Sequence, residues 1–296
     1  MKMKINTKQL EIKNLTVSFE NPQSLQKIEV VKSLSLTMGH ERVGIVGESG
    51  SGKSMTARAI LGLIKKPGLI QAQALNFYSP DQSDTDKLVC LDLLKQTQSS
   101  WQHVRGRKIS MIMQDPKYSL NPVMSVFDQI REAVLLHKIV PKPHIKEYVM
   151  GLLDEVGITD PLRIAKSYAH QLSGGIGQRV MIAMMLAPKP ELLIADEPTS
   201  ALDVMVRDQI LSLLDKEIKT RKMGLLMISH DLKMVAKYCD RVLIMYQGKI
   251  VESLDATQLF SAKHPYTQGL LNCLPSLDTR GKSLPTLDRS LFEVGL

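Results

Sequence analysis

Residues 42–64 read RVGIVGESGSGKSMTARAILGLI, and the fold turns on how this stretch divides. Its opening, RVGIV, is a short apolar run of strand type, and its closing, SMTARAILGLI, has the spacing of a helix. Between them Gly47-Glu48-Ser49-Gly50-Ser51-Gly52-Lys53-Ser54 matches GxxxxGK[ST], the strand–loop–helix element that cradles phosphate. Its glycines let the backbone wrap closely, so that N–H groups point inward. The helix that follows adds its positive N-terminal end. Lys53 would reach the β- and γ-phosphates of a nucleotide, and the Ser54 hydroxyl would ligate Mg²⁺. A glycine-rich turn can be purely structural, but the Lys-Ser pair in this strand–helix context favours phosphate.

Working outward, short apolar runs alternate with helical patterns, which points to an α/β sheet domain. Strands are expected at Leu10–Phe19, Arg42–Val46, Lys108–Met113, Leu192–Ala195 and Leu225–Ile228. Arg241–Tyr246 and Lys249–Glu252 flank Gln247-Gly248 and read as a hairpin. Val149, Leu152, Leu153 and Val156 share one helical face, as do Val206, Ile210, Leu211, Leu214 and Ile218. Residues 71–105, with SPDQSDTD and QTQSS tracts, read as a loop-rich excursion from the sheet. The segment from Lys263 onward, rich in Pro, Ser and Leu, reads as an irregular C-terminal extension.

Two further segments carry chemistry. Leu192–Ala195 runs into Asp196 and Glu197, so an apolar strand ends in two acids at the sheet edge where phosphates sit. Asp196 would hold Mg²⁺ and Glu197 would act as general base on the attacking water. Two acids after a strand can also be a helix cap; the loop upstream favours catalysis. Ser173, Gly174 and Gly175 open the helical run QRVMIAMMLA and form a second anion-binding surface. Seen alone, that segment is an ordinary serine cap. One nucleotide has a single γ-phosphate, already claimed by Lys53, so the second cradle suits a nucleotide on another subunit.

Taken together these motifs resemble the nucleotide-binding domain of ABC ATPases. They appear in order: Walker A (47–54), a Q-loop at Gln114, the signature LSGGI (172–176), Walker B (192–197), a D-loop ending at Asp203, and His230 in ISHDL. The resemblance implies a P-loop cassette over 1–262, with a mostly parallel core sheet, an antiparallel β subdomain and a helical signature subdomain over about 115–185. Residues 263–296 would be the C-terminal extension. It further implies that Gln114 touches Mg²⁺ and the attacking water, that His230 contacts the γ-phosphate, that Asp203 orders a dimer interface, and that Phe19 stacks on adenine. The family signature ends in Gln where this chain has Ile176, which cannot hydrogen-bond through its side chain. We therefore expect a dimer with a related but different ATPase and two unequal sites.

RGRKISMIMQDPKYSLNPVMSV (105–126), SGGIGQRVMIAMMLAPKPELLIADEPTSALDV (173–204) and HPYTQGLL (264–271) resemble the dipeptide/oligopeptide/nickel importer branch, in its D-type ATPase form. That branch implies ATP and Mg²⁺, a second ATPase, two membrane permeases, a solute-binding protein, and a place on the cytoplasmic face of the inner membrane. Peptide import is the first expectation, on motif similarity, and nickel or metal-chelate import the second; many peptide members end in a cysteine-containing segment, and the single Cys273 here leaves the metal members open.

Bulk composition is compatible with this. Across 296 residues the formal charge is +8, which suits an anionic partner such as nucleic acid, a phosphate-rich ligand or a membrane surface, or is simply a solvated face. An ABC ATPase acting on DNA or the ribosome is the rival this charge raises. Such proteins carry two cassettes or a long coiled coil, and here one Walker A stands without a heptad run, so nucleic acid is not expected. A small-molecule kinase would explain Lys53 and Asp196 but leave the signature, Asp203 and His230 without purpose. Cys90, Cys239 and Cys273 form no CxxC pair, which fits a reducing compartment. No run approaches the roughly 18–20 apolar residues of a membrane span, so any membrane role needs a partner.

Overall fold

A computed structural model describes residues 8–20, 26–81, 87–200 and 202–274. Two sheets and a set of helices pack around two apolar cores. The larger sheet runs from edge to edge through residues 249–255, 241–246, 42–46, 224–229, 192–196 and 109–112. Its strands are β3 (Arg42–Val46), β7 (Ile109–Ile112), β8 (Leu192–Asp196), β9 (Gly224–Ser229), β10 (Arg241–Tyr246) and β11 (Lys249–Asp255). Pairing from β10 through β7 is parallel, and only the β10–β11 hairpin is antiparallel.

These strands read as unbroken apolar runs because both faces of the sheet are covered. Ile45, Leu192, Ile194, Leu226, Ile228, Leu243 and Met245 point into one core. Their neighbours Leu193, Ala195, Leu225, Met227, Val242 and Ile244 point into the other. The first core is closed by α1 (Lys53–Ile60) and by a second, antiparallel sheet of β1 (Leu10–Glu20), β2 (Lys27–Met38), β4 (Gly68–Gln71), β5 (Ala74–Pro80) and β6 (Leu88–Asp92). The second is closed by helices. These are α3 (Pro116–Ser119), α4 (Val126–Leu136), α5 (Ile145–Glu155), α6 (Pro161–Lys166) and α7 (Gly174–Leu186), then α8 (Val204–Arg221) and α9 (Leu232–Tyr238). Val149, Leu152 and Leu153 of α5 and its C-terminal cap Val156 are buried there, as are Ile210, Leu211, Leu214 and Ile218 of α8. No helix among the described residues is long and apolar enough to cross a membrane.

Two sequence expectations are corrected. Residues 71–105 are not a loop-rich excursion: they supply β5, β6 and α2 (Gln98–Val104). In ALNFYSP the alternation is genuine, with Leu75, Phe77 and Ser79 buried between half-exposed neighbours. The QTQSS tract is a helix start, because Thr97 Oγ1 accepts from Ser100 N at 3.3 Å and Ser100 Oγ accepts from Thr97 N at 2.8 Å. Much of the SPDQSDTD tract, residues 82–86, lies outside the described residues.

The chain after Lys263 is likewise not irregular at its start. Pro265–Asn272 form α10, with Tyr266 and Thr267 fully buried; residues 275–296 lie outside the described ones. Strand β2 was not anticipated, because the left-handed Ser33 (φ 49°) breaks its period of two.

Gly44 in β3 has a packing reason. A Cβ built there would lie 2.1 Å from Val235 Cγ1 of α9, so the helix rests directly on the strand backbone. Gly44→Ala should lower stability by about 1–3 kcal/mol through overpacking, which denaturant unfolding would register as a lower midpoint with an unchanged slope.

Candidate functional site

Parallel pairing brings four remote segments to one edge. β3 is paired with β9, β9 with β8 and β8 with β7, and in that register Val46 lies beside Ser229, Ile228 beside Asp196 and Ala195 beside Ile112. The chain leaves these ends as the Gly47–Ser54 loop, His230, Glu197 and Gln114. A cleft of about 500 Å³ opens there, lined by Ser49, Gly50, Gly52, Lys53, Ser54, Gln114, Glu197 and His230, with Val30 and Met55.

The loop is gripped by backbone on its far side. A Cβ at Gly47 would sit 2.0 Å from the Met245 carbonyl oxygen, and one at Gly52 (φ 103°) 2.6 Å from that of Val30. Gly248 N donates to Ser51 O at 3.0 Å. Only glycine permits contacts this close, which is the physical reason for the spacing in the motif.

Lys53 is 5% exposed and its Nζ donates to Gly47 O and Glu48 O, both at 2.8 Å, and to Ser51 Oγ at 3.4 Å. Burial pushes its ammonium below the ordinary lysine range, opposed by Glu197, Asp196 and Glu48. Ser54 Oγ donates to Asp196 Oδ1 at 2.8 Å. Two hard oxygen donors from α1 and β8 therefore converge, a donor set that fits Mg²⁺, a cation that keeps several waters and takes few protein ligands.

Glu197 is held in the left-handed region at φ 47°. Such a conformation costs a non-glycine residue about 1–3 kcal/mol, and such residues cluster at functional sites. It is fixed by Glu197 N donating to Ile228 O at 2.9 Å, and by the Ser200 N–H and hydroxyl donating to Glu197 O, both at 3.3 Å. Gln114 Nε2 donates to its Oε2 at 3.4 Å, while His230 Nδ1 lies 3.1 Å from Oε1. Each carboxylate oxygen thus has its own polar neighbour.

The other expected residues lie elsewhere. Phe19 is half-buried in an adjoining cleft of about 610 Å³ that shares Met55 with the first. Ser173, Gly174 and Gly175 do not line the phosphate cleft, nor does Asp203. Ser173 caps α7 by accepting from Ile176 N at 3.4 Å, and Asp203 caps α8 by accepting from Val206 N at 3.0 Å. The two caps adjoin, since a Cβ on Gly175 would lie 3.0 Å from Val206 Cγ1. Gln178 Nε2 donates to Pro198 O, which ties α7 to the turn after Glu197. Ile176 packs half-buried against the helical core. Gly47 and Glu48 brace the loop rather than line the cleft.

Sequence reasoning missed Val30, Met55 and Tyr266 here. Val30 lies on the unanticipated strand β2, and alternation over Leu34, Leu36 and Met38 was its only signal. Tyr266, whose hydroxyl accepts from Glu48 N at 3.1 Å, lies in the HPYTQGLL stretch, but nothing there points to the phosphate loop.

Known proteins share this sequence pattern and this fold. A sequence profile described as "ABC transporter" matches residues 31–200. The glutathione import ATP-binding protein GsiA of Shigella flexneri is 42% identical over 271 residues, 90% of this chain and 42% of that protein. This chain thus spans about two-fifths of the length of that relative. The oligopeptide transport ATP-binding protein OppD of Lactococcus lactis subsp. cremoris is 40% identical over 286 residues, 95% of this chain and 80% of that protein. Among solved structures, the dimeric post-hydrolysis state of the ATP-binding cassette MJ0796 bound to ADP and Pi superposes with a TM-score of 0.68 at 23% identity, covering 83% of this chain and 98% of that one. The structure of cbiO1 from Clostridium perfringens, part of the ABC transporter complex cbiONQ, gives 0.65 at 24% identity, covering 90% and 95%. The solved structures bear on the fold alone. With the profile spanning more than half of the chain and OppD matched over most of both proteins, the chain belongs to the ABC transporter family.

Proposed function

We propose that this chain is the ATP-hydrolysing subunit of a membrane importer for short peptides. The observation that carries the reading is the convergence of Gln114 and His230 on the Glu197 carboxylate, in the same cleft as Lys53 and the Ser54–Asp196 pair. The names of GsiA and OppD supply the peptide class.

Lys53 has its donors on carbonyl oxygens of its own loop, and a triphosphate entering the cleft offers better acceptors. The exchange binds the β- and γ-phosphates without moving the helix. Phe19, beside Met55, would receive the adenine. A bound Mg²⁺, held by Ser54 and Asp196 with Gln114 nearby, would screen phosphate charge. Glu197 would take the proton of the attacking water as its oxygen bonds to the γ-phosphorus and the bond to ADP breaks. His230 holds one oxygen of that base and would touch the γ-phosphate.

Ser173–Gly175 and Asp203 lie together and outside their own cleft, which favours their serving a nucleotide on a second ATPase. With Ile176 packed into the helical core, that partner is proposed to be a related, different chain, giving unequal sites. An apolar groove of about 360 Å³, lined among others by Leu61, Leu63, Met111, Leu136, Met184 and Met185, would seat a short helix of a permease. The chain would then sit against the inner face of the membrane, with a solute-binding protein delivering cargo outside.

Uptake of labelled peptide should fail in cells lacking the chain and return with wild type but not with Glu197→Gln, whose ATP turnover should fall about 10²–10⁴-fold. Near-normal turnover would remove Glu197 from the role of base, and loss of nickel uptake in place of peptide uptake would overturn the cargo.

Asp196 gives a second test. Burial raises its carboxyl above the ordinary value near 3.8, against the Ser54 hydrogen bond. The folded chain then binds the proton more tightly than the unfolded chain, so the contribution to stability is full below about pH 3.8 and lost as pH rises through the raised value. At neutral pH the ionised group destabilises the nucleotide-free fold. Asp196→Asn should raise the neutral-pH Tm by about 2–4 °C per kcal/mol relieved, lose that gain near pH 4, and lose Mg²⁺-dependent ATP hydrolysis. A neutral-pH Tm at or below wild type would contradict this.

A further inference from the structure

The phosphate loop is braced from behind by a residue outside the motif. Lys53 Nζ donates to the Gly47 carbonyl at 2.8 Å. That carbonyl and the Glu48 N–H belong to one peptide group, and in a planar trans peptide they point in opposite directions. The Glu48 N–H donates to the Tyr266 phenolic oxygen at 3.1 Å. One peptide plane is therefore held at both ends, by the ammonium in front and the phenol behind. The next carbonyl, of Glu48, also accepts from Lys53 at 2.8 Å, and Ser51 N donates to it at 3.2 Å. The first plane thus sets one of the two backbone oxygens that hold the lysine, and the Ser51 N–H steadies the other.

Tyr266 is fixed well enough to do this. It is fully buried, and its ring centroid lies 4.4 Å from that of Tyr246 at the end of β10. Its own N–H donates to His264 Nδ1, the cap of α10, at 3.2 Å. The first turn of α10 is tied to β11, because the Glu252 carboxylate accepts from Lys263 N at 2.9 Å, from His264 N at 3.2 Å and from the Thr267 hydroxyl. The turn between β10 and β11 holds the loop again at Ser51. Hairpin and helix form one support under the loop.

We propose that Tyr266 is a positioning residue for Lys53: its hydroxyl fixes the Gly47–Glu48 peptide so that the lysine stands ready for the nucleotide. The inference rests on the nucleotide reading above. It gives the HPYT segment a task in ATP binding that follows from contacts in this chain. The hydroxyl touches no substrate, so it acts equally on ground state and transition state, and its loss appears in KM rather than in kcat.

The test uses the full chain. Tyr266→Phe keeps the ring and removes the acceptor. The KM for ATP should rise about 3–10-fold with kcat within about twofold, as expected for loss of one buried hydrogen bond. Hydrogen exchange at the Glu48 amide should accelerate, while the Gln268 amide of α10, which donates to His264 O at 3.0 Å, stays protected. Thr267→Val, which cuts the side-chain tie to Glu252 but leaves the two backbone ties and the phenol, should leave KM within about twofold. An unchanged KM in Tyr266→Phe would overturn the proposal, as would loss of Gln268 protection together with that of Glu48, or an equal rise in KM with Thr267→Val. Lys53→Ala separates the two levels. If it binds ATP as wild type does, the nucleotide reading falls; if it loses ATP while Tyr266→Phe is silent, this inference alone falls.

Discussion

The parallel pairing of β3, β9, β8 and β7 constrains everything at the cleft. Strands that run the same way and share a register must release the chain at the same edge, and whatever follows each strand meets there. Val46, Asp196, Ser229 and Ile112 end the four strands, so the Gly47–Ser54 loop, Glu197, His230 and Gln114 are neighbours despite lying up to about two hundred residues apart in sequence. A slip of one residue in any pair would send the following side chain to the opposite face. The two apolar cores resist such a slip, because successive residues of each strand are buried on alternate sides.

That edge then concentrates charge. One ammonium, Lys53, faces the carboxylates of Asp196 and Glu197 in a partly dry cleft, and the two acids differ in environment. Asp196 ends inside the strand, is 6% exposed and accepts from Ser54. Glu197 lies one residue further, turned outward by its left-handed backbone, and meets Gln114 and His230 instead. Adjacent acids thus acquire separate surroundings through one backbone angle. The strain at Glu197 is the cost of that separation, and the hydrogen bonds from Glu197 N to Ile228 and from Ser200 to Glu197 hold it in place.

The parts of this site that sequence reveals are those made by local chemistry. GESGSGKS, the Asp196-Glu197 pair after an apolar strand, and the Ser173 cap each depend on residues within a few positions of one another. The core strands were legible for the same reason, since burial on both faces writes itself as continuous apolar runs. Strand β2 was not, because the left-handed Ser33 shifts its alternation midway. The 71–105 segment was misread because Ser and Thr serve helix caps as readily as loops, as Thr97 and Ser100 do here. The contact of Tyr266 with the phosphate loop was invisible for a deeper reason: it acts across 218 positions through one hydroxyl, and nothing in its neighbourhood of sequence records the distant partner.

The phosphate loop therefore joins two kinds of information. Its glycines and lysine are written locally, but its shape is enforced by Val30 from β2, Met245 and Gly248 from the β10–β11 hairpin, and Tyr266 from α10. Each contact meets backbone with little clearance, so the loop cannot relax without displacing a strand. A flexible glycine-rich segment is made rigid by what surrounds it, and rigidity is what a phosphate cradle needs, since N–H groups aimed in advance lose little on binding. The same argument explains why the supports come from β2, the β10–β11 hairpin and α10 rather than from β7, β8 and β9. The core fixes where the loop begins and ends; only elements packed against its back can fix the path between.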